Sequence, residues 1–217
     1  MQLYGFWRSI ATFRVRVALR LKDLPFEEIP IDILSGEQFK SGYDAVNPER
    51  VVPTFIHDGH AVMQSLSIIE YLDRIQQEPR LLPEDTKERA YACSLALMTI
   101  ADSHPLVTPR IRDHLAKTFG ADAKAVEGWG KHWISEALGT YERLLARRAP
   151  APFALGTEPG IADICIAGQV VSAHFIKLEL GAFPIVSRLA ERCFEIPAFA
   201  TSHPFEQPGF KGSGARP

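Results

Sequence analysis

The sequence has no excess of either charge. Its 24 Lys and Arg stand against 26 Asp and Glu, a formal net charge of -2. Neither nucleic acid nor an anionic membrane surface is therefore an expected partner. No apolar run approaches the roughly 20 residues that cross a bilayer. The opening Met1-Gln2-Leu3-Tyr4-Gly5 lacks the basic-then-apolar order of a secretory signal. Cysteine is scarce: Cys93, Cys165 and Cys193 are odd in number and far apart, which gives neither a disulfide framework nor a metal cluster. They are expected as buried thiols in a reducing cytoplasm. The seven His residues show no metal-ligand spacing. Asp102-Ser103-His104 are neighbours whose side chains diverge on a helix, so they form no proton relay. There is no low-complexity tract and no internal repeat. What remains is a folded cytoplasmic protein whose 217 residues suffice for one large domain or two small ones.

The first third alternates strand and helix signals. Gln2 to Phe6 reads as a strand. From Ser9 or Ile10 to Leu21 a helix is predicted, with Ala11, Val15, Ala18 and Leu19 on one face. Arg14, Arg16, Arg20 and Lys22 lie mostly off that face and are expected in solvent. Pro25 to Ile33 reads as a second strand, and a loop or short helix runs on to Asn47. Thr54 to His57 and His60 to Met63 flank Asp58-Gly59, a strong hairpin signal. Ser65 to Gln76 is helical, with Ile68, Ile69, Leu72 and Ile75 on one face. Beyond the Pro-containing stretch 79–86, everything reads helical: Glu88 to Ile111, Ala121 to Arg148, Ile161 to Leu178, Pro184 to Phe194 and Pro197 to Ser202. The tail from Pro204 is rich in Pro and Gly and is expected to cover the surface or fray. The order, βαβαββα over 1–78, resembles that of an α+β thioredoxin-like N-terminal domain. A linker over 79–86 and an all-α domain over 87–217 follow it.

Three short segments carry chemistry. Ser9 opens the first helix, where unsatisfied N–H groups and about half a positive charge gather. A hydroxyl at that place donates to a thiolate held nearby and lowers the pKa of the thiol; the same residue also suits a plain N-cap. Val52-Pro53-Thr54 precedes the hairpin, and Gln64-Ser65 opens a second helix whose N–H groups suit a carboxylate.

Phe6 to Leu19, Asn47-Pro48, Val52-Pro53-Thr54 and Gln64 to Leu72, in this order, resemble the glutathione-binding domain of the glutathione transferases, and within them the zeta class. Leu81-Leu82-Pro83, Gly160-Ile161-Ala162-Asp163 and Ser202-His203-Pro204 extend the likeness over nearly the whole chain. The resemblance implies glutathione as cofactor. Ser9 would activate its thiol, Val52 before a cis Pro53 would pair with its peptide backbone, and Gln64 and Ser65 would hold its γ-glutamyl end. His104 is carried over as a further cofactor contact. A homodimer and a small electrophile in a cleft between two domains are also implied, with no nucleic acid, membrane or metal.

The chain departs from the zeta pattern at named places. The family's Ser-Ser-Cys reads Ser9-Ile10-Ala11 here, so a hydroxyl and a thiol are missing, with Thr12 a substitute donor one step away. Where zeta isomerases usually place an Arg for a substrate carboxylate, this chain aligns Phe175. Arg8, Ala11, Arg110, His174 and Phe175 are the candidate substrate residues, with Arg112 a further cation. These departures place glutathione transfer to a small electrophile ahead of cis–trans isomerisation of maleylacetoacetate or maleylpyruvate. A non-catalytic protein of the same fold is the third reading.

Overall fold

The computed structural model describes residues 1–40 and 42–212. Their contacts form two compact units: Met1–Leu82 with the segment from Phe194 on, and Pro83–Cys193. The sequence reading had placed that last segment with the helices of 87–217.

In the first unit β1 (Gln2–Gly5) pairs in parallel with β2 (Glu27–Pro30) and antiparallel with β3 (Thr54–His57). β3 forms a hairpin with β4 (His60–Met63), which gives the sheet order β2-β1-β3-β4. The hairpin turn places Asp58 at φ 49° and Gly59 at φ 79°. Both values lie in the left-handed region that the tight two-residue turn demands and that Asp-Gly accepts. Helices α1 (Ile10–Leu21) and α2 (Ser65–Ile75) follow β1 and β4. The second helix of the expected βαβαββα order is reduced to a 3₁₀ turn at Glu37–Phe39. Ile68, Ile69 and Leu72 are buried as the pattern predicted, whereas Ile75, the last residue of α2, is exposed.

The cations of α1 correct the sequence reading. Arg14, Arg16 and Lys22 are buried, and only Arg20 among the four keeps partial exposure. A one-face pattern assumes one covered side. Here α1 packs against both α2 and α8 (Pro197–Ser202) of the same unit. Ser65 and Asp73 on α2 meet Arg14 and Lys22, Glu28 on β2 meets Arg16, and Ser202 on α8 meets the partly exposed Arg20. Arg16 and Lys22 are paired with carboxylates, as burial requires. Arg16 forks onto Glu28 at 2.6 to 3.0 Å and donates to the carbonyls of Phe6 and Trp7 at 3.1 and 3.3 Å. Lys22 meets Asp73 at 2.9 Å and the carbonyls of Gln76 and Pro79 at 2.7 and 2.8 Å. Gly5, at the end of β1, is required by packing: a Cβ there would lie 2.4 Å from Thr12 Cγ2.

The second unit is helical. The stretch Glu88 to Ile111 is not one run. It is α3 (Thr86–Leu97), a π-helical segment Met98–Ser103, a 3₁₀ turn His104–Val107 and then α4 (Pro109–Phe119). Pro105 and Pro109 lack the N–H that a continuous α-ladder needs. α5 (Ala123–Leu145), α6 (Ile161–Phe175) and α7 (Pro184–Glu195) complete it. α6 is its core: every residue from Ile161 to Ala173 is buried. Gly160 brings no capping side chain. The Asp163 carboxylate accepts from the N–H groups of Gly160 at 2.9 Å and Ala154 at 2.8 Å instead. All three cysteines are free thiols; Cys165 and Cys193 are buried, and Cys93, expected inside, is half-buried. Among the described residues no helix is long and apolar enough to cross a membrane, and no His, Cys, Asp and Glu group could hold a metal.

Candidate active site

Sheet register gathers the three segments in the first unit. Tyr4 lies opposite Thr54, and Thr54 opposite Met63. The exit of β1, the entry of β3 and the exit of β4 therefore share one end of the sheet. The turn to Ser9, the Val52-Pro53 dipeptide and Gln64-Ser65 all lie at that end, although 56 positions separate Ser9 from Ser65 in the sequence.

Ser9 has extended backbone, φ -70° and ψ 122°, and caps α1. Its Oγ accepts from Thr12 N–H at 3.2 Å, and its carbonyl accepts from Phe13 N–H at 2.8 Å. The cap uses one lone pair of the hydroxyl. The hydroxyl hydrogen is left to donate outward at the positive end of the helix dipole. Capping and thiolate stabilisation are thus compatible in one residue. Thr12 does not substitute for the missing family hydroxyl: it is fully buried, and its Oγ1 accepts from Phe6 N–H at 3.4 Å. Ile10 is buried, Ala11 half-buried and Arg8 exposed.

The Val52–Pro53 peptide is cis. The loop before it is held by two residues that the sequence reading missed as site residues. Asn47 Nδ2 donates to the Val51 carbonyl and to Thr54 Oγ1, each at 2.9 Å. The Tyr43 hydroxyl bonds the same two groups. Burial raises the phenol pKa of Tyr43, while bonds to Thr54 and Asn47 pull it back in part; it remains a neutral structural donor. Asn47 was visible within Asn47-Pro48, but nothing in the sequence showed where its amide pointed.

Gln64 stands at φ 66° before α2, exposed, its amide donating to Glu49 at 2.8 Å. Ser65 is buried, and its Oγ accepts from Arg14 Nε at 3.0 Å. The hydroxyl hydrogen of Ser65 and the open N–H groups of the first turn of α2 are donors of the kind a carboxylate takes. A hydroxyl at a helix start, a strand-entry backbone and a second helix start suit the thiol, peptide and γ-glutamyl carboxylate of glutathione.

The remaining candidates belong to the second unit. His104 begins the 3₁₀ turn and is partly exposed. Arg110 and Arg112 are exposed in the first turn of α4. His174 and Phe175 end α6, both partly exposed. Burial lowers the pKa of His174, so its imidazole is neutral at neutral pH.

Comparison with known proteins agrees with this geometry. The family profile "Glutathione S-transferase, N-terminal domain" matches residues 1–74. A maleylpyruvate isomerase of Ralstonia sp is 36% identical over 209 residues, 96% of this chain and 99% of the relative. The holo structure of a maleylpyruvate isomerase, a bacterial glutathione transferase of the zeta class, superposes with a TM-score of 0.94 at 36% identity, covering 96% of this chain and 99% of the other. A maleylacetoacetate isomerase from Methylobacterium extorquens AM1, solved with malonate and glutathione bound, gives a TM-score of 0.92 at 35% identity over 98% of this chain and all of the other. With likeness of this degree over both units, and the sheet end built as it is, the chain belongs to the zeta class of the glutathione transferases.

Proposed function

We propose that this chain is a glutathione-dependent cis–trans isomerase of a maleyl-type dicarboxylic keto acid, maleylpyruvate or maleylacetoacetate. The observation that carries the reading is the end-to-end likeness to isomerases of that class at 36% identity. It reverses the order set by Phe175 and Ala11 alone, which had placed general conjugation first. Glutathione supplies a thiolate that adds reversibly to the conjugated double bond and leaves after rotation, so none is consumed.

Within this reading Ser9 donates its hydroxyl hydrogen to the thiolate, and the start of α1 lowers the thiol pKa. Val52 offers its backbone to the peptide as a strand edge would. Ser65 and Gln64 hold the γ-glutamyl end, and His104 is a further contact. The substrate is a dicarboxylate, and the malonate in one relative is one too. A carboxylate calls for a cation. His174, neutral at neutral pH, is the weaker candidate; Arg8, Arg110 and Arg112 carry permanent charge and a fork that fits a carboxylate. Phe175 supplies apolar surface where relatives in the class use an Arg, and Ala11 supplies room. A homodimer and a cytoplasmic location belong to the same proposal and rest on family resemblance.

The second reading, conjugation to an apolar electrophile, keeps Phe175 in its favour. One experiment separates the two: purified protein with glutathione, followed for loss of maleylpyruvate or maleylacetoacetate absorbance, beside a chlorodinitrobenzene conjugation assay. Glutathione-dependent isomerisation without net loss of thiol is the expected result. Conjugation without isomerisation would overturn the proposal.

A further inference from the structure

The turn that delivers Ser9 is held from two directions, and only one of them comes from α1. From α1, Arg16 donates to the carbonyls of Phe6 and Trp7. From the other end of the sequence, the tail closes on the indole of Trp7. Phe210 contacts that indole at 5.6 Å between ring centroids, and Phe205 stacks on Phe210 at 4.6 Å. Trp7 in turn meets Phe6 at 5.7 Å. Gly209 lies so close that a Cβ would fall 2.4 Å from Trp7 Cδ1 and 2.9 Å from Trp7 Cβ. The tail is anchored where it approaches. Buried Gln207 donates to the carbonyls of Thr201 and His203 at 2.8 and 2.9 Å, and its own carbonyl accepts from Phe210 N–H at 2.9 Å. Residues 213–217 of the tail lie outside the described residues.

We propose that Gly209 and Phe210 are positioning residues for the thiol site: they clamp Trp7 and so fix the turn that presents the Ser9 hydroxyl. Trp7 stands two positions before Ser9, with exposed Arg8 between them. A shift at Trp7 therefore passes along the backbone to the cap. A misplacement of about 1 Å at a reacting centre costs on the order of a hundredfold in rate, so a loosened clamp acts on the chemistry before it acts on the fold. This rests on the reading of Ser9 as thiol activator.

The test uses the full chain with Phe210→Ala, Gly209→Val and the aromatic control Phe210→Tyr. The thiolate absorbance of bound glutathione is titrated against pH. Turnover is measured beside the affinity for S-methylglutathione, which reports the rest of the cradle without a thiol. The first two variants are expected to raise the bound thiol pKa and lower turnover by about tenfold or more. Affinity for S-methylglutathione should stay near that of the parent, and Phe210→Tyr should recover the parent values. If Gly209→Val does not fold, Phe210→Leu removes the ring contact while keeping apolar bulk. Parent-like thiol pKa and turnover in Phe210→Ala would overturn the clamp. Ser9→Ala in the same titration separates the two ideas: a shift there with none in Phe210→Ala removes the clamp alone, and no shift in either removes Ser9 as activator.

Discussion

Arg14 Nε donates to the hydroxyl of Ser65 at 3.0 Å, joining the buried middle of α1 to the first residue of α2. The two helices that open the thiol and carboxylate ends of the proposed glutathione site are therefore braced against each other. Arg14 itself does not reach outward. It orients a hydroxyl whose remaining hydrogen can.

Arg14→Lys should weaken glutathione binding. The ammonium keeps the charge but loses the planar fork. A hydrogen bond to a charged group contributes about 1.5–3 kcal/mol, so a loss of about ten- to a hundredfold in affinity is expected, with turnover at saturation less affected. Calorimetric titration measures it; unchanged affinity would detach Arg14 from the site.

Ser9→Ala and Ser9→Gly separate the cap from the chemistry. Ala at a cap costs about 1 kcal/mol and Gly only a few tenths, so thermal melting should distinguish the two variants. Both lack the hydroxyl, so both should lose turnover by about 10²–10³, the range for one oxyanion-type donor. Turnover that follows melting temperature instead would make Ser9 a cap only.

Gly5→Ala should destabilise the first unit by about 1–3 kcal/mol through overpacking, because its Cβ would strike Thr12 Cγ2. Thr12→Ser removes that methyl and keeps the hydroxyl that Phe6 N–H uses. The double variant should melt above Gly5→Ala. Additive losses would show that the contact is not the cause.

Asp163 gives a pH signature. Burial raises its pKa from 3.8 to about 6, against the opposing pull of backbone N–H groups, Gly160 first. Folding thus favours the protonated form. The stabilisation is full below pH 3.8 and is lost as pH rises through about 6. Asp163→Asn should flatten the dependence of melting temperature on pH across that window. Asp163→Ala should also leave two backbone N–H groups without their acceptor, at about 1–3 kcal/mol each. A parent-like pH dependence in the Asn variant would assign the titration to another group.

Most of the element order was legible because local chemistry sets it. Asp58-Gly59 fits only a tight turn, Ser9 suits a helix start, and Pro105 and Pro109 forbid an unbroken helix. The last of these was readable and was missed, because apolar periodicity across Glu88 to Ile111 outweighed the prolines. The burial of Arg14, Arg16 and Lys22 was not readable. Periodicity reports one covered face, and the partners that receive these cations, Ser65 and Asp73 on α2 and Glu28 on β2, come from other elements.

For the site the division is similar. Which groups are present is written in the chain itself: the Ser9 and Ser65 hydroxyls, the Val52-Pro53 dipeptide, and Phe175 where the resemblance implies an Arg. Local propensity and turn chemistry also placed each of the first three at the mouth of a strand or helix. Only the tertiary structure decided that Tyr4, Thr54 and Met63 align across the sheet and bring those mouths together, and that Arg14, Asn47 and the Gly209-Phe210 tail hold them in place. The reason is physical: a hydrogen-bond register and a packed ring join residues far apart in the sequence, and no local spacing encodes which of them will meet.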